Sequence, residues 1–460
     1  MLKTRLAGLP ALLPVLMLLL AGPVHAQTGI DAVAEEGTLP AATGNGEAVA
    51  EADGLPVENG AEDEAPLPTE NGAEAMAEDE APLPTANGAE AMAEDEAPLP
   101  TANGAEAVAD DEEAVPAGNG IEVVAEVAKG PGNITVTPDG RILISLHQFF
   151  GTEMRVAEVM PDGALVPFPD AWWAVGFQSR LALNSVLGIQ SDARGVVWML
   201  DNGMRDGVIP KLVGWDTQSN RLERLITLPR PVTAEDSFVN DLAVDRNHDA
   251  IYIADPAGGD NAALIVVDLK TGASRRVLEG HQSVVPEDTD LVIDDRAVEI
   301  RQPDGSTVRP RVGVNPIVLD HDNEWLYFGP MHGTSLYRIR TAHLRDPILD
   351  REDRLAGVVE RHGDKVISDG SSMDRDGNVY ISDLAGSAVG VTDPDGGYRQ
   401  LVSDSRLAWP DAFSFGPDGM LYGVANQLHR SATLNAGTDE TQPPFLIFRV
   451  TPLADGVVGR

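Results

Sequence analysis

Six residues of this 460-residue chain pair chemical capability with a shared position in the sequence. Asn240, Asn315 and Asp369 each stand just before the first strand of a short apolar hairpin, in Phe238-Val239-Asn240-Asp241, Val314-Asn315-Pro316 and Ser368-Asp369-Gly370. Asp241 adjoins the first of them, Asp411 takes the same place in Trp409-Pro410-Asp411, and His147 closes the apolar run that follows Arg141. Carboxylates and carboxamides brought to one point make an oxygen-rich site. Such a site takes Ca²⁺ or another hard divalent cation, with Asn315, Asp369 and Asn240 as ligands, or a polar small molecule. No cofactor is demanded by these residues. The same residue types also cap turns and satisfy backbone amides where strands begin. The chemistry therefore depends on whether the fold aims them at one place.

The elements that would aim them recur six times. Asn133–His147, Gly188–Asp201, Asp241–Asp255, Pro316–Pro330, Gly370–Asp383 and Ala412–Asn426 each read as an apolar run, a turn rich in Asp, Gly or Asn, and a second apolar run. Each is a β-hairpin signal. A β unit repeated at a spacing of roughly 40 to 75 residues points to a propeller, which buries hairpin faces between blades. We expect an all-β, six-bladed β-propeller over residues 121–460, with strand Phe445–Val450 pairing in the last blade or completing the first. The innermost strands of a propeller start around a central channel, so the six residues should meet on its axis.

Two segments precede the repeats. Residues 1–26 have a basic start, an apolar stretch from Leu6 to Val24 and Val24-His25-Ala26 before the break, which is the pattern of a signal peptide. Residues 27–120 repeat a sixteen-residue unit, seen in Glu70–Thr85 and Ala86–Thr101, and carry −24 of the net charge of −40 without one Lys or Arg. This composition cannot bury enough apolar surface to fold, and predicts a disordered, self-repelling linker. The expected protein is secreted or periplasmic and monomeric. It has no membrane span after signal cleavage, and its partner is a small-molecule ligand. The acidic balance excludes a basic nucleic-acid surface. With no cysteine, the folded part depends on its core alone.

The order of several phrases resembles the major royal jelly/yellow family. Val197-Trp198-Met199-Leu200-Asp201-Asn202-Gly203 followed by Pro210-Lys211-Leu212 is similar to one blade of that family, and Phe238–Asp245 with Ile251–Asp255 to the next. Tyr327-Phe328-Gly329-Pro330-Met331 with Ser335–Thr341, and Gly363-Asp364-Lys365 before Ser368-Asp369-Gly370-Ser371-Ser372, continue the likeness. It implies a secreted six-bladed propeller with a ligand pocket in its channel. Bacterial members carry a dopachrome tautomerase-related label, and weak isomerase activity is compatible with this reading. A more distant resemblance is to gluconolactonase/senescence-marker propellers, which hold a divalent metal with a glutamate, an asparagine and an aspartate. It implies Asn315 and Asp369 as metal ligands and Asn240-Asp241 on the substrate side, while the glutamate position reads Lys129. The alternative function is thus a metal-dependent lactonase with Asp369 as ligand or base, and a third is a non-catalytic envelope or matrix protein.

Other motifs are weaker. Asp374-Arg375-Asp376-Gly377-Asn378 and Asp245-Arg246-Asn247-His248-Asp249 imitate calcium loops, but apolar strands flank them where an EF-hand needs helices. They read as hairpin turns. No His-Glu-x-x-His or Gly-x-Ser-x-Gly phrase is present. Phe149-Phe150, Trp172-Trp173 and Trp409 offer aromatic surface for a pocket or for blade packing.

Overall fold

The computed structural model describes residues 120–176, 179–349 and 354–460; the expected signal peptide and acidic linker lie outside the described residues. Six four-stranded antiparallel sheets follow one another along the chain. Blade 1 opens with the hairpin Pro131–Val136/Ile142–Leu146, blade 2 with Val186–Ser191/Val196–Asp201 and blade 3 with Asp241–Asp245/Ala250–Asp255. Blades 4, 5 and 6 open with Val314–Leu319/Trp325–Pro330, Ser371–Met373/Val379–Asp383 and Pro410–Phe415/Leu421–Ala425. Every expected hairpin forms the two inner strands of a blade, so the protein is a six-bladed β-propeller.

Inner strands are buried on both faces, as in Val186–Ser191 and Val196–Asp201. Their side chains feed six apolar clusters, one between each neighbouring pair of blades. A seventh cluster joins an insertion between blades 3 and 4 to one mouth of the channel. The insertion carries two small ribbons, Val292–Ile293/Arg296–Ala297 and Ile300–Arg301/Thr307–Val308. From it Leu291, Ile293, Val298 and Ile300 pack on Met331, Leu384, Trp409 and Leu428. Hydrogen bonds from Glu299 N to Leu434 O (3.2 Å) and from Ala436 N to Glu299 O (2.8 Å) tie the insertion to blade 6.

The ring closes through a strand that has no hairpin signal of its own. Phe445–Val450 pairs antiparallel with Leu421–Ala425 on one side and with Glu122–Val127 on the other. Blade 6 is therefore three strands from the end of the chain and one from the start of the described region. This removes two open strand edges.

The last residues close the other mouth. Gly456 and Val458 bridge Asp374 of blade 5 and Phe415 of blade 6. Arg460 O accepts from Phe415 N (2.7 Å) and Ser372 Oγ (3.0 Å), and Gly459 O accepts from Thr135 Oγ of blade 1 (2.9 Å). The Arg460 guanidinium donates to Asp320 O (3.0 Å) and Asn323 Oδ1 (2.6 Å) of blade 4 and to Val244 O of blade 3 (3.4 Å). These contacts fall at the far ends of the inner strands, so the channel is blind. Among the described residues no helix is long and apolar enough to cross a membrane.

Candidate functional site

Four inner strands break register near their beginnings: between Pro131 and Ile134, Val186 and Ile189, Val314 and Ile317, and Pro410 and Phe413. A bulge places two residues opposite one and re-aims side chains. Here the bulged residues are the ones that reach the axis. Gly132 and Asn133, Leu187, Asn315 and Asp411 come from the four bulges, Asn240 and Asp369 from the segments just before blades 3 and 5, and Asp241 from the first position of its strand. With His147 they line one cavity of about 20 Å³, room for a water or a single small group. All six residues expected to converge do so: Asn240, Asp241, Asn315, Asp369, Asp411 and His147. Two positions differ in detail, since Asn315 and Asp411 lie within their strands, in the bulges, and not before them.

Close approach of the blades depends on glycine at two points. Gly188 N donates to Asn240 O at 2.8 Å, and a Cβ there would stand 2.7 Å from that oxygen. Gly370 lies in the same way against the backbone of Asp411. Gly370 N and Asp369 N both donate to Ser382 Oγ, at 3.0 and 2.8 Å, which fixes the turn carrying Asp369. Buried Lys365, just upstream, anchors the same segment through Nζ to Gly333 O (2.8 Å), Val366 O (3.0 Å) and Ser368 Oγ (3.3 Å).

The polar side chains are linked in a chain. Asn240 Nδ2 donates to Asn315 Oδ1, Asn315 Nδ2 donates to Asp369 Oδ1, and Trp409 Nε1 donates to Asp369 Oδ2 at 2.7 Å. Trp409 holds a left-handed backbone (φ 59°) and stacks on His429 with ring centroids 6.0 Å apart. Asp241 Oδ1 accepts from Leu242 N (2.9 Å) and Asn133 Nδ2 (3.2 Å); Asp411 Oδ2 accepts from Asn426 Nδ2 (2.5 Å). His147 Nδ1 accepts from Phe149 N at 3.2 Å, which leaves the proton on Nε2.

Burial dominates the titration of this cluster. It pushes Asp241 up to about 7, with the Asp369 charge adding to the rise. Asp369 is raised to about 6 by burial, against the hydrogen bonds from Trp409 and Asn315. Asp411 is raised well above the ordinary range by burial and by the charges of Asp369 and Asp241. His147 is held neutral, its value lowered to about 3 by burial and by Arg205. No Lys or Arg lines the cavity. Three carboxylates thus share a small space with no basic partner.

A second, apolar chamber of about 70 Å³ shares His147, Asn240, Asn315 and Asp369 with the acidic cavity. Its other walls include Phe149, Phe238, Leu291, Met331, Trp409 and Leu428, so the insertion between blades 3 and 4 roofs the site. Of the aromatic residues singled out in the sequence, Phe149 and Trp409 line this chamber. Phe150 packs on Phe445 (5.1 Å between centroids), and Trp173 packs on Trp215 (5.6 Å).

A sequence model of the major royal jelly proteins matches residues 184–454. The chain belongs to the major royal jelly protein family. Major royal jelly protein 1 of Apis mellifera is 24% identical over 232 residues, 46% of this chain and 50% of that protein; the chain thus spans about half the length of this curated relative. Among solved structures, a gluconolactonase from Xanthomonas campestris (15% identity, 73% of this chain and 90% of that one, TM-score 0.45) is similar. So is regucalcin, a calcium-binding protein, from Agrobacterium tumefaciens (14%, 74% and 98%, TM-score 0.45). These two likenesses assign no chemistry to this member of the royal jelly family.

The metal set expected from the lactonase resemblance meets a specific geometry. Asn240, Asn315 and Asp369 are adjacent, but both amide ends of Asn315 and both oxygens of Asp369 are already hydrogen bonded. Lys129, at the expected glutamate position, is exposed and does not line the cavity. Among the described residues no three His, Cys, Asp or Glu side chains gather as a metal cluster. The calcium-loop imitations are turns: Asp374 accepts from Asp376 N and Asn378 N, each at 3.0 Å, and Asp245 from His248 N at 3.0 Å. Sequence reading missed Asn133, whose place at the head of the first repeat matches that of Asn240; the repeat itself was the signal.

Proposed function

We propose that the protein binds a small organic cation in its blind central channel. The charged group sits among Asp241, Asp369 and Asp411, and the apolar remainder lies in the roofed chamber. The observation that carries this reading is the set of three buried carboxylates around a cavity with no Lys or Arg side chain, adjoining an otherwise apolar space. A cation there favours the charged forms that burial disfavours in all three groups. Membership of the royal jelly family and the signal-like first 26 residues support export. Asp241, near 7, has the titration suited to lending and recovering a proton, the one feature that favours accompanying isomerase activity.

A metal at the axis would have to break the Asn240–Asn315–Asp369 chain, so we derive no hydrolytic step through it. The two readings separate in one set of titrations. Calorimetry at pH 8 with n-pentylamine, 1-pentanol and pentanoate compares positive, neutral and negative ligands of one length. Only the amine should bind, and Asp369→Asn should weaken it about tenfold or more. Equal binding of the alcohol overturns the proposal. So does a stoichiometric divalent metal that survives dialysis, with lactone turnover lost in Asp369→Asn; that outcome establishes the lactonase reading.

A further inference from the structure

His332 follows the second strand of blade 4 and is 1% exposed. Its backbone is fixed on both sides by the insertion: His332 N donates to Val312 O (3.1 Å), and Glu287 N donates to His332 O (2.7 Å). Its ring is fixed as well, because Nδ1 accepts from Val312 N at 3.1 Å. An Nδ1 that accepts must be bare, so in the neutral ring the proton lies on Nε2. Neutrality follows from burial and from the nearby charges of Arg311 and Lys365, which lower its value to about 4. Nε2 is buried and has no partner among the described residues.

His332 lines the roofed chamber. Apart from the four residues shared with the acidic cavity and His332 itself, the chamber lining is apolar, and the one other polar hydrogen there, Trp409 Nε1–H, is spent on Asp369. Buried polar hydrogens are nearly always paired, and a rigid exception in a binding chamber calls for an explanation. A lone water is a poor answer, since it needs several polar partners and the wall around His332 offers few.

We propose that His332 is a specificity-determining residue of the channel: its Nε2–H receives a neutral hydrogen-bond acceptor, such as an ether or carbonyl oxygen, borne on the apolar part of a ligand whose cationic end sits among Asp241, Asp369 and Asp411. This rests on the cation-binding reading above and adds a second polar point to it. The ligand class narrows to small amines with an oxygen acceptor on their carbon chain. A purely hydrocarbon amine leaves the donor unpaired, and a second donor group meets it head-on. Discrimination of this kind is strong because the penalty falls on the buried unpaired group.

The test uses three amines of equal length: n-pentylamine, 3-methoxypropylamine and 2-ethoxyethylamine. Dissociation constants are measured by calorimetry at pH 8 for the full chain and for His332→Asn. In that variant the side-chain oxygen can still accept from Val312 N while the far donor is withdrawn. His332→Leu serves as a second variant. At least one ether should bind the unmodified protein no more weakly than pentylamine does. Its affinity relative to pentylamine should fall about tenfold in both variants, a ratio that a merely structural role for His332 does not move. If pentylamine binds and depends on Asp369 but the ether ratio is the same with and without His332, the His332 assignment is overturned and cation binding stands. If none of the three amines binds, both fall together.

Discussion

The two ends of the channel are built from the two ends of the same six inner strands, yet they treat buried charge in opposite ways. At the end closed by Gly456–Arg460, the buried carboxylates are saturated with hydrogen bonds. Asp245 accepts from His248 N (3.0 Å), Tyr252 OH (3.2 Å) and Asn323 Nδ2 (2.9 Å), and Asp374 accepts from Asp376 N, Asn378 N, Asn378 Nδ2 (2.9 Å) and Tyr380 OH (2.9 Å). The Arg460 guanidinium donates to three oxygens from two blades. At the other end Asp241 and Asp369 accept two hydrogen bonds each and Asp411 one, and their protonation is displaced upward together. A saturated end holds the ring closed. An unsaturated end stores a mismatch that only something from outside relieves.

The largest effect should come from undoing the saturated end. Deleting Pro444–Arg460 removes the strand that joins Leu421–Ala425 to Glu122–Val127, and we expect it to abolish cooperative folding by exposing two apolar edges. Deleting only Gly456–Arg460 keeps blade 6 but strips partners from Thr135, Ser372 and Phe415. On the order of 5 kcal/mol of stability should be lost in denaturant unfolding, about 1 kcal/mol for each hydrogen bond. A truncated chain as stable as the full one would show that the plug is ornament and that the contrast between the ends is wrong.

A smaller effect, opposite in sign at the two ends, sharpens the contrast. Asp245→Asn turns an amide toward groups that already donate, and should cost about 2 kcal/mol. Asp411→Asn should do the reverse. A carboxyl raised in the folded state contributes stability below the ordinary carboxylate range, and that contribution is lost as pH rises toward the folded value. Since Asp411 is raised, the variant should match the parent at acid pH and melt above it at pH 8. Thermal melts across this window read the gap directly. A variant that melts lower at pH 8 would mean that the Asp411 charge is compensated.

How far the sequence carried can be read from the same two ends. The six hairpins were legible because each turn phrase is local, and Asn240, Asn315, Asp369 and Asp411 because they recur at one place in the repeat. The closing strand Glu122–Val127 was not, since its only partner lies more than 300 residues away. The bulges that aim Asn133, Asn315 and Asp411 inward are properties of pairing and leave no mark in composition. His332 acquires its meaning from Val312 and Glu287 of the insertion, and Arg460 from backbone oxygens of blades 3 and 4. Residues defined by what they repeat could be read; residues defined by what they meet could not.

The central claim is that the unsaturated end is completed by a cation, and proton linkage tests it most directly. At pH 6.5 both Asp241, near 7, and Asp369, near 6, are partly protonated. A bound ammonium favours their charged forms and should expel protons. Calorimetric titration of n-pentylamine at this pH, repeated in buffers of different ionisation enthalpy, measures that exchange. The account predicts net proton release on binding, reduced in Asp369→Asn together with Asp241→Asn. Binding with no proton exchange, or with uptake, would contradict it.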